Sequence, residues 1–118
     1  MIKILLAEDD ASLRRFLANA LERAGFDVRI CTDGEEALLA LDHPFDILLT
    51  DIVMRGIDGI EVARQAVARQ PLLQVIFITG FAAVALSPPS GAPEGAKILS
   101  KPIHLRDIVA EVEKLMAA

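Results

Sequence analysis

The chain is read as an α/β protein with a doubly wound, five-stranded parallel sheet. Three observations predict this. Four short apolar runs each close on a charge or a hydroxyl: Ile4-Leu5-Leu6-Ala7 before Glu8-Asp9-Asp10, Ile47-Leu48-Leu49-Thr50 before Asp51, Val75-Ile76-Phe77-Ile78 before Thr79, and Ile98-Leu99 before Ser100-Lys101-Pro102. Runs of this length between helical patterns read as parallel strands buried on both faces. The intervening stretches carry apolar residues at helical spacing, and short Gly- or Pro-containing joins separate them. The 118 residues are enough for one compact domain, expected over 1–118, and too few for two.

Each element follows in turn. Residues 2–7 are a strand. Residues 11–24 are a helix, with Asp10 or Ser12 at its start, Gly25 at its end, and Leu13, Phe16, Leu17, Ala20 and Leu21 on its inner face. Residues 27–31 form the second strand. Thr32-Asp33-Gly34 then turns into a helix over 35–41, and Pro44 precedes the third strand, 47–50. Asp58-Gly59 opens a helix running to about Arg69, with Ile60, Ala63, Ala66 and Val67 inward. Pro71 separates it from the fourth strand, 74–78. The last helix covers 105–116, with Ile108, Val109, Val112, Leu115 and Met116 inward. Between the fourth and fifth strands the pattern breaks. Ser87 to Gly95 holds three prolines and two glycines, so the helix expected there is shortened to one or two turns over Phe81–Leu86, followed by an irregular loop. Five strand–helix units with short joins favour the flavodoxin-like order 2-1-3-4-5.

Composition narrows the function. A net charge of −5, with no Trp or Tyr, argues against nucleic-acid binding. The one basic doublet, Arg14-Arg15, reads as a solvated helix face. No stretch approaches the roughly 18 apolar residues of a membrane span, and none resembles a signal peptide. The single cysteine, Cys31, excludes an internal disulfide and fits a reducing cytoplasm. No glycine pattern of a nucleotide-binding loop occurs. His43 and His104 lie outside any ligand spacing and read as surface residues.

In open α/β sheets, sites form beyond the carboxyl ends of the strands. The order 2-1-3-4-5 brings Glu8, Asp9, Asp51, Thr79 and Lys101 together there. A single strand-end acid is explained as a helix cap, and Asp10 fits that role. A consecutive pair opposite a third acid calls for a counter-charge, which Mg²⁺ with its oxygen preference supplies. Asp51 is the candidate nucleophile toward phosphorus. Thr79 is the candidate hydrogen-bond donor to a phosphoryl oxygen, and Lys101 the candidate charge partner.

These residues resemble a known family. Glu8-Asp9, Asp51, Asp58-Gly59, Thr79-Gly80 and Lys101-Pro102 match, over the whole chain, the response-regulator receiver domain of two-component signalling. The resemblance implies that Asp51 is the phosphorylation site. It implies Mg²⁺ held by Asp9, Asp51 and the backbone carbonyl of Val53, with Glu8 helping through water. Thr79 and Lys101 would bind the phosphoryl group. The donor would be a phosphohistidine on a histidine kinase or histidine phosphotransferase. Such a protein is a regulatory phosphoacceptor that catalyses only its own phosphorylation and dephosphorylation.

Three departures stand out. Ile98 occupies the place of an aromatic switch residue, Arg55 that of a common proline, and the fourth helix is degraded. With the run Phe81–Leu86, these traits are similar to single-domain CpdR-type receivers, a group linked to regulated proteolysis through the AAA+ protease ClpXP. A stand-alone receiver whose output is a protein–protein contact, a phosphate relay or both is expected, with no direct contact to nucleic acid or membrane. Two alternatives stay open: a pseudo-receiver that binds partners without phosphate, and an aspartyl-phosphate phosphohydrolase. The second wants an acid two residues beyond Asp51, where Val53 stands.

Overall fold

The structure, a computed structural model, describes residues 1–80 and 91–117. Its elements run β1 (Lys3–Ala7), α1 (Ala11–Arg23), β2 (Asp27–Cys31), α2 (Gly34–Ala40), β3 (Ile47–Asp51), α3 (Gly59–Arg69), β4 (Gln74–Thr79), β5 (Lys97–Ser100) and α4 (Leu105–Met116). All four strand pairings are parallel, and the order is β2-β1-β3-β4-β5. The predicted sheet and its order are thus observed. The short helix expected over 81–86 lies outside the described residues. The part of the proline-rich stretch that is described, 91–96, has no helix or strand, and Gly91 and Gly95 take positive φ there.

Side chains of the central strands alternate between two cores, as the two-residue period of a strand requires. Leu5, Leu48, Val75 and Phe77 pack with α2 and α3 through Ala37, Val62, Ala63 and Ala66. Ile4, Leu6, Ile47, Leu49, Ile76 and Ile78 pack on the other face with Leu17 and Leu21 of α1 and Ile108 and Val112 of α4. Both faces of β1, β3 and β4 are therefore covered, which is why these strands read as unbroken apolar runs.

Three expectations are corrected. The fourth apolar run is not buried on both faces: among the described residues β5 pairs only with β4, as an edge strand, and its residues are half-buried or exposed. Phe16 is 44% exposed, and Ala18 takes an inward position instead. Arg14 does not simply face solvent. Its guanidinium donates to the Glu8 carbonyl at 2.8 Å, tying α1 to the end of β1.

The first three helices start where acids cap them, whereas α4 follows His104 with no side-chain cap. Asp10, Asp33 and Asp58 each accept a bond from the backbone N–H three residues on, at 2.9, 2.8 and 2.9 Å. Such bonds satisfy donors that a helix leaves unpaired in its first turn.

Candidate functional site

Parallel pairing sets Ala7 of β1 beside Thr50 of β3, so the residues that follow, Glu8 and Asp51, emerge side by side. Glu8, Asp9 and Asp51 place carboxylate oxygens within 4.8 Å of one another. With Asp10, Val53, Gly80 and Lys101 they line a depression of about 330 Å³ at the C-terminal end of the sheet. Thr79 is buried, one residue before Gly80, and its carbonyl accepts from the Lys101 N–H at 2.8 Å. Glu8, Asp9, Asp51, Val53 and Lys101 thus line one depression, and Thr79 adjoins it through its backbone bond to Lys101. His43 and His104 are exposed and lie elsewhere.

Each carboxylate meets its charge problem differently. Asp51 is buried, and its Oδ2 accepts from Lys101 Nζ at 2.9 Å, while its Oδ1 accepts from the Val53 N–H at 3.2 Å. Burial pulls the Lys101 ammonium down, but the hydrogen bond and charge of Asp51 outweigh it and hold it above its ordinary value. Lys101 is joined to Pro102 by a cis peptide bond. Asp9 accepts at Oδ2 from the Arg55 N–H at 3.2 Å, and Arg55 Nε stands 3.7 Å from the same oxygen. Glu8 is 1% exposed. Its Oε2 accepts from the Asp10 N–H at 3.1 Å, whereas Oε1 is buried with no hydrogen-bond partner among the described residues. Burial, followed by the negative charge of Asp51, pushes the Glu8 carboxyl up to about 7, against the opposing pull of the Asp10 N–H. Two ionised carboxylates cannot bond to each other, so Glu8 and Asp51 make a hydrogen bond only when one carries a proton.

The loop between β3 and α3 is built to fit against this cluster. The Gly59 N–H donates to the Ile52 carbonyl at 2.9 Å, and a Cβ on Gly59 would overlap the Asp51 carbonyl oxygen. Only glycine permits so close an approach. Gly56 takes φ +75°, and the Glu35 carboxylate accepts from the Ile57 N–H at 3.3 Å.

The donor set fits a hard divalent cation. It offers oxygens only, a buried oxygen with no partner among the described residues, and more negative charge than Lys101 balances. The sequence did not reveal Arg55 as a partner of Asp9. The available signal was the missing proline at 55, since any other residue there keeps an N–H beside the acids.

Comparison with known proteins agrees with this geometry. The family described as the response regulator receiver domain matches residues 4–113. The chain belongs to that family. This receiver is 57% identical over 119 residues to the response regulator receiver protein CpdR of Brucella abortus, spanning 100% of this chain and 99% of that protein. Its fold matches a response regulator receiver protein from Sinorhizobium medicae with a TM-score of 0.91 at 32% identity, covering 99% and 95% of the two chains. It also matches the response regulator TrrA from Thermotoga maritima, solved in complex with Mg(2+)-BeF, with a TM-score of 0.86 at 27% identity and coverage of 98% and 99%. The receiver spans about half the length of the transcriptional regulators it also resembles. No described helix is long and apolar enough to cross a membrane.

Proposed function

We propose that this CpdR-like receiver takes a phosphoryl group onto Asp51 from a phosphohistidine of a histidine kinase or histidine phosphotransferase, and that the modification switches a protein–protein contact. The observation that carries the reading is the Lys101–Asp51 pair at 2.9 Å inside a cluster of three acids. An Asp51 oxygen attacks phosphorus, the P–N bond breaks, and the imidazole leaves with its electron pair. Lys101, 2.9 Å from the attacking carboxylate, is the near positive charge that would stabilise the transferred oxygens. Thr79, at the end of β4, is the second phosphoryl contact. Glu8, Asp9, Asp51 and the Val53 carbonyl are the groups that would hold Mg²⁺. When bound, that ion supplies positive charge between the acids and the incoming phosphoryl oxygens. That the similar receiver TrrA was solved in complex with Mg(2+)-BeF supports Mg²⁺ and phosphoryl-like binding as the kind of chemistry proposed.

The extensive identity to CpdR supports a further step: residues 1–118 act as one receiver in the cytoplasm, and the downstream target is a protein of a regulated proteolysis system, an AAA+ protease or its adaptor. The pairing of a buried Asp51 with a part-exposed Lys101 favours phosphate-dependent action over a phosphate-independent binding module. Incubation with a small phosphoramidate and Mg²⁺, followed by mass mapping, tests the core of the proposal. Labelling at Asp51 that disappears in EDTA and in Asp51→Asn is expected. Equal labelling of Asp51→Asn overturns it.

A further inference from the structure

Arg55 is the charged group of the site that the phosphoryl-transfer scheme leaves without a task. Its place is defined from both ends of the β3–α3 loop. On one side its N–H donates to Asp9 Oδ2 at 3.2 Å, and its Nε lies 3.7 Å from the same oxygen. On the other side, Gly56 at φ +75° turns the chain, and Glu35 receives the Ile57 N–H at 3.3 Å. Residue 55 therefore meets Asp9 twice, once through the backbone and once through the side chain. A proline would offer neither contact. The Arg55 side chain is 84% exposed while the Asp9 side chain is only 22% exposed, so Arg55 is hydrated but lies over a largely covered carboxylate.

Lys101 neutralises Asp51 from within the depression, and Arg55 neutralises Asp9 from its rim. A divalent cation arriving at the acids meets a carboxylate already paired with a fixed positive charge. We propose that Arg55 is a built-in competitor for the cation, which lowers the affinity of the site for Mg²⁺ and is released from Asp9 when the ion binds. This rests on the metal reading of Glu8, Asp9 and Asp51. The competition acts on the side chain alone, because the backbone bond from residue 55 to Asp9 is independent of residue type except for proline. It is also modest. An ion pair with so exposed a partner contributes little and is screened by salt. Removing the guanidinium should strengthen Mg²⁺ binding about twofold to fivefold at low ionic strength, the range of an exposed pair. The released guanidinium then lies at the mouth of the depression, where an anionic phosphoryl donor must approach.

Calorimetric titration of Mg²⁺ into the metal-free protein tests this, using wild type, Arg55→Gln, Arg55→Lys and Asp9→Asn. The exposed position of Arg55 means that the folded state should survive each change at 55, which circular dichroism melting in EDTA checks. Arg55→Gln should bind Mg²⁺ about twofold to fivefold more tightly than wild type. The gain should fade at about 1 M ionic strength, where the Debye length falls to about 3 Å. Arg55→Lys, which keeps the charge, should stay close to wild type. An unchanged Mg²⁺ affinity in Arg55→Gln, a gain that ignores salt, or a Lys variant that behaves like Gln overturns the proposal while leaving the metal site standing. Wild type indistinguishable from Asp9→Asn, with neither taking up Mg²⁺, overturns both.

Discussion

Glu8→Gln isolates the most costly charge in the site. The Glu8 carboxyl is 1% exposed and lies against Asp51, and burial with that neighbour raises it from an ordinary 4.5 to about 7. The native protein therefore holds this proton more tightly than the unfolded chain does. Stability from this group is complete below about pH 4.5, declines as pH rises through the interval to about 7, and is level above it. The loss across the interval is about 3 kcal/mol, since each tenfold change in proton affinity is worth about 1.4 kcal/mol. Glutamine keeps the shape and an oxygen to accept the Asp10 N–H, and its amide can donate to Asp51. At pH 8 in EDTA, Glu8→Gln should melt roughly 10 °C above wild type, taking about 4 °C per kcal/mol for a domain of this size. At pH 4.5 the two should converge. Saturating Mg²⁺ should raise wild type more than the variant, because Glu8 is then needed as an ionised oxygen. The chain has no Trp or Tyr, so far-UV circular dichroism is the suitable probe. A variant that melts below wild type at pH 8 without metal, or a difference that does not change between pH 4.5 and 8, refutes the reasoning.

Lys101→Ala should keep or strengthen Mg²⁺ binding, measured by calorimetry, while phosphorylation no longer alters partner binding in a pull-down, because its ammonium pairs with Asp51 and is itself no ligand of a cation. A collapse of Mg²⁺ affinity with intact phospho-dependent binding would reverse these roles. Gly59→Ala should lose roughly 3 kcal/mol or fail to fold, as seen by thermal melting, because its Cβ would overlap the Asp51 carbonyl oxygen and no flexible side chain is there to yield. Asp58→Ala removes the bond to the Glu61 N–H and should cost about 1 kcal/mol in urea unfolding with an unchanged slope.

The parts of this protein that follow from local pattern were legible. Strand cores such as Leu48-Leu49 and Ile76-Phe77 announce themselves because both faces of the sheet are covered, and the caps at Asp10 and Asp58 lie beside the helices they start. Convergence of Glu8, Asp9, Asp51 and Lys101 followed from topology alone, before any distance was known. What escaped depends on reach across the fold. Arg14 to the Glu8 carbonyl and Arg55 to Asp9 are contacts of long side chains whose direction no periodicity encodes. Phe16 is exposed while Leu17, Ala18 and Leu21 are buried, a choice of covered face that helical spacing alone does not decide. The state of the Glu8 proton needs the burial that only the packed fold supplies.

Glu8 and Asp51 sit at the ends of two hydrogen-bonded neighbours in the middle of the sheet, β1 and β3. The gap between such strands is about 4.8 Å and is set by the backbone ladder, not by side-chain choice. The sheet thus acts as a ruler for the acids. A slip of one residue would carry Asp51 to the opposite face and erase the cluster. No local fraying can loosen this spacing without breaking the core itself. A ligand held here would bear directly on the buried central pair β1 and β3, so its binding energy would add to the stability of the whole fold rather than of one loop.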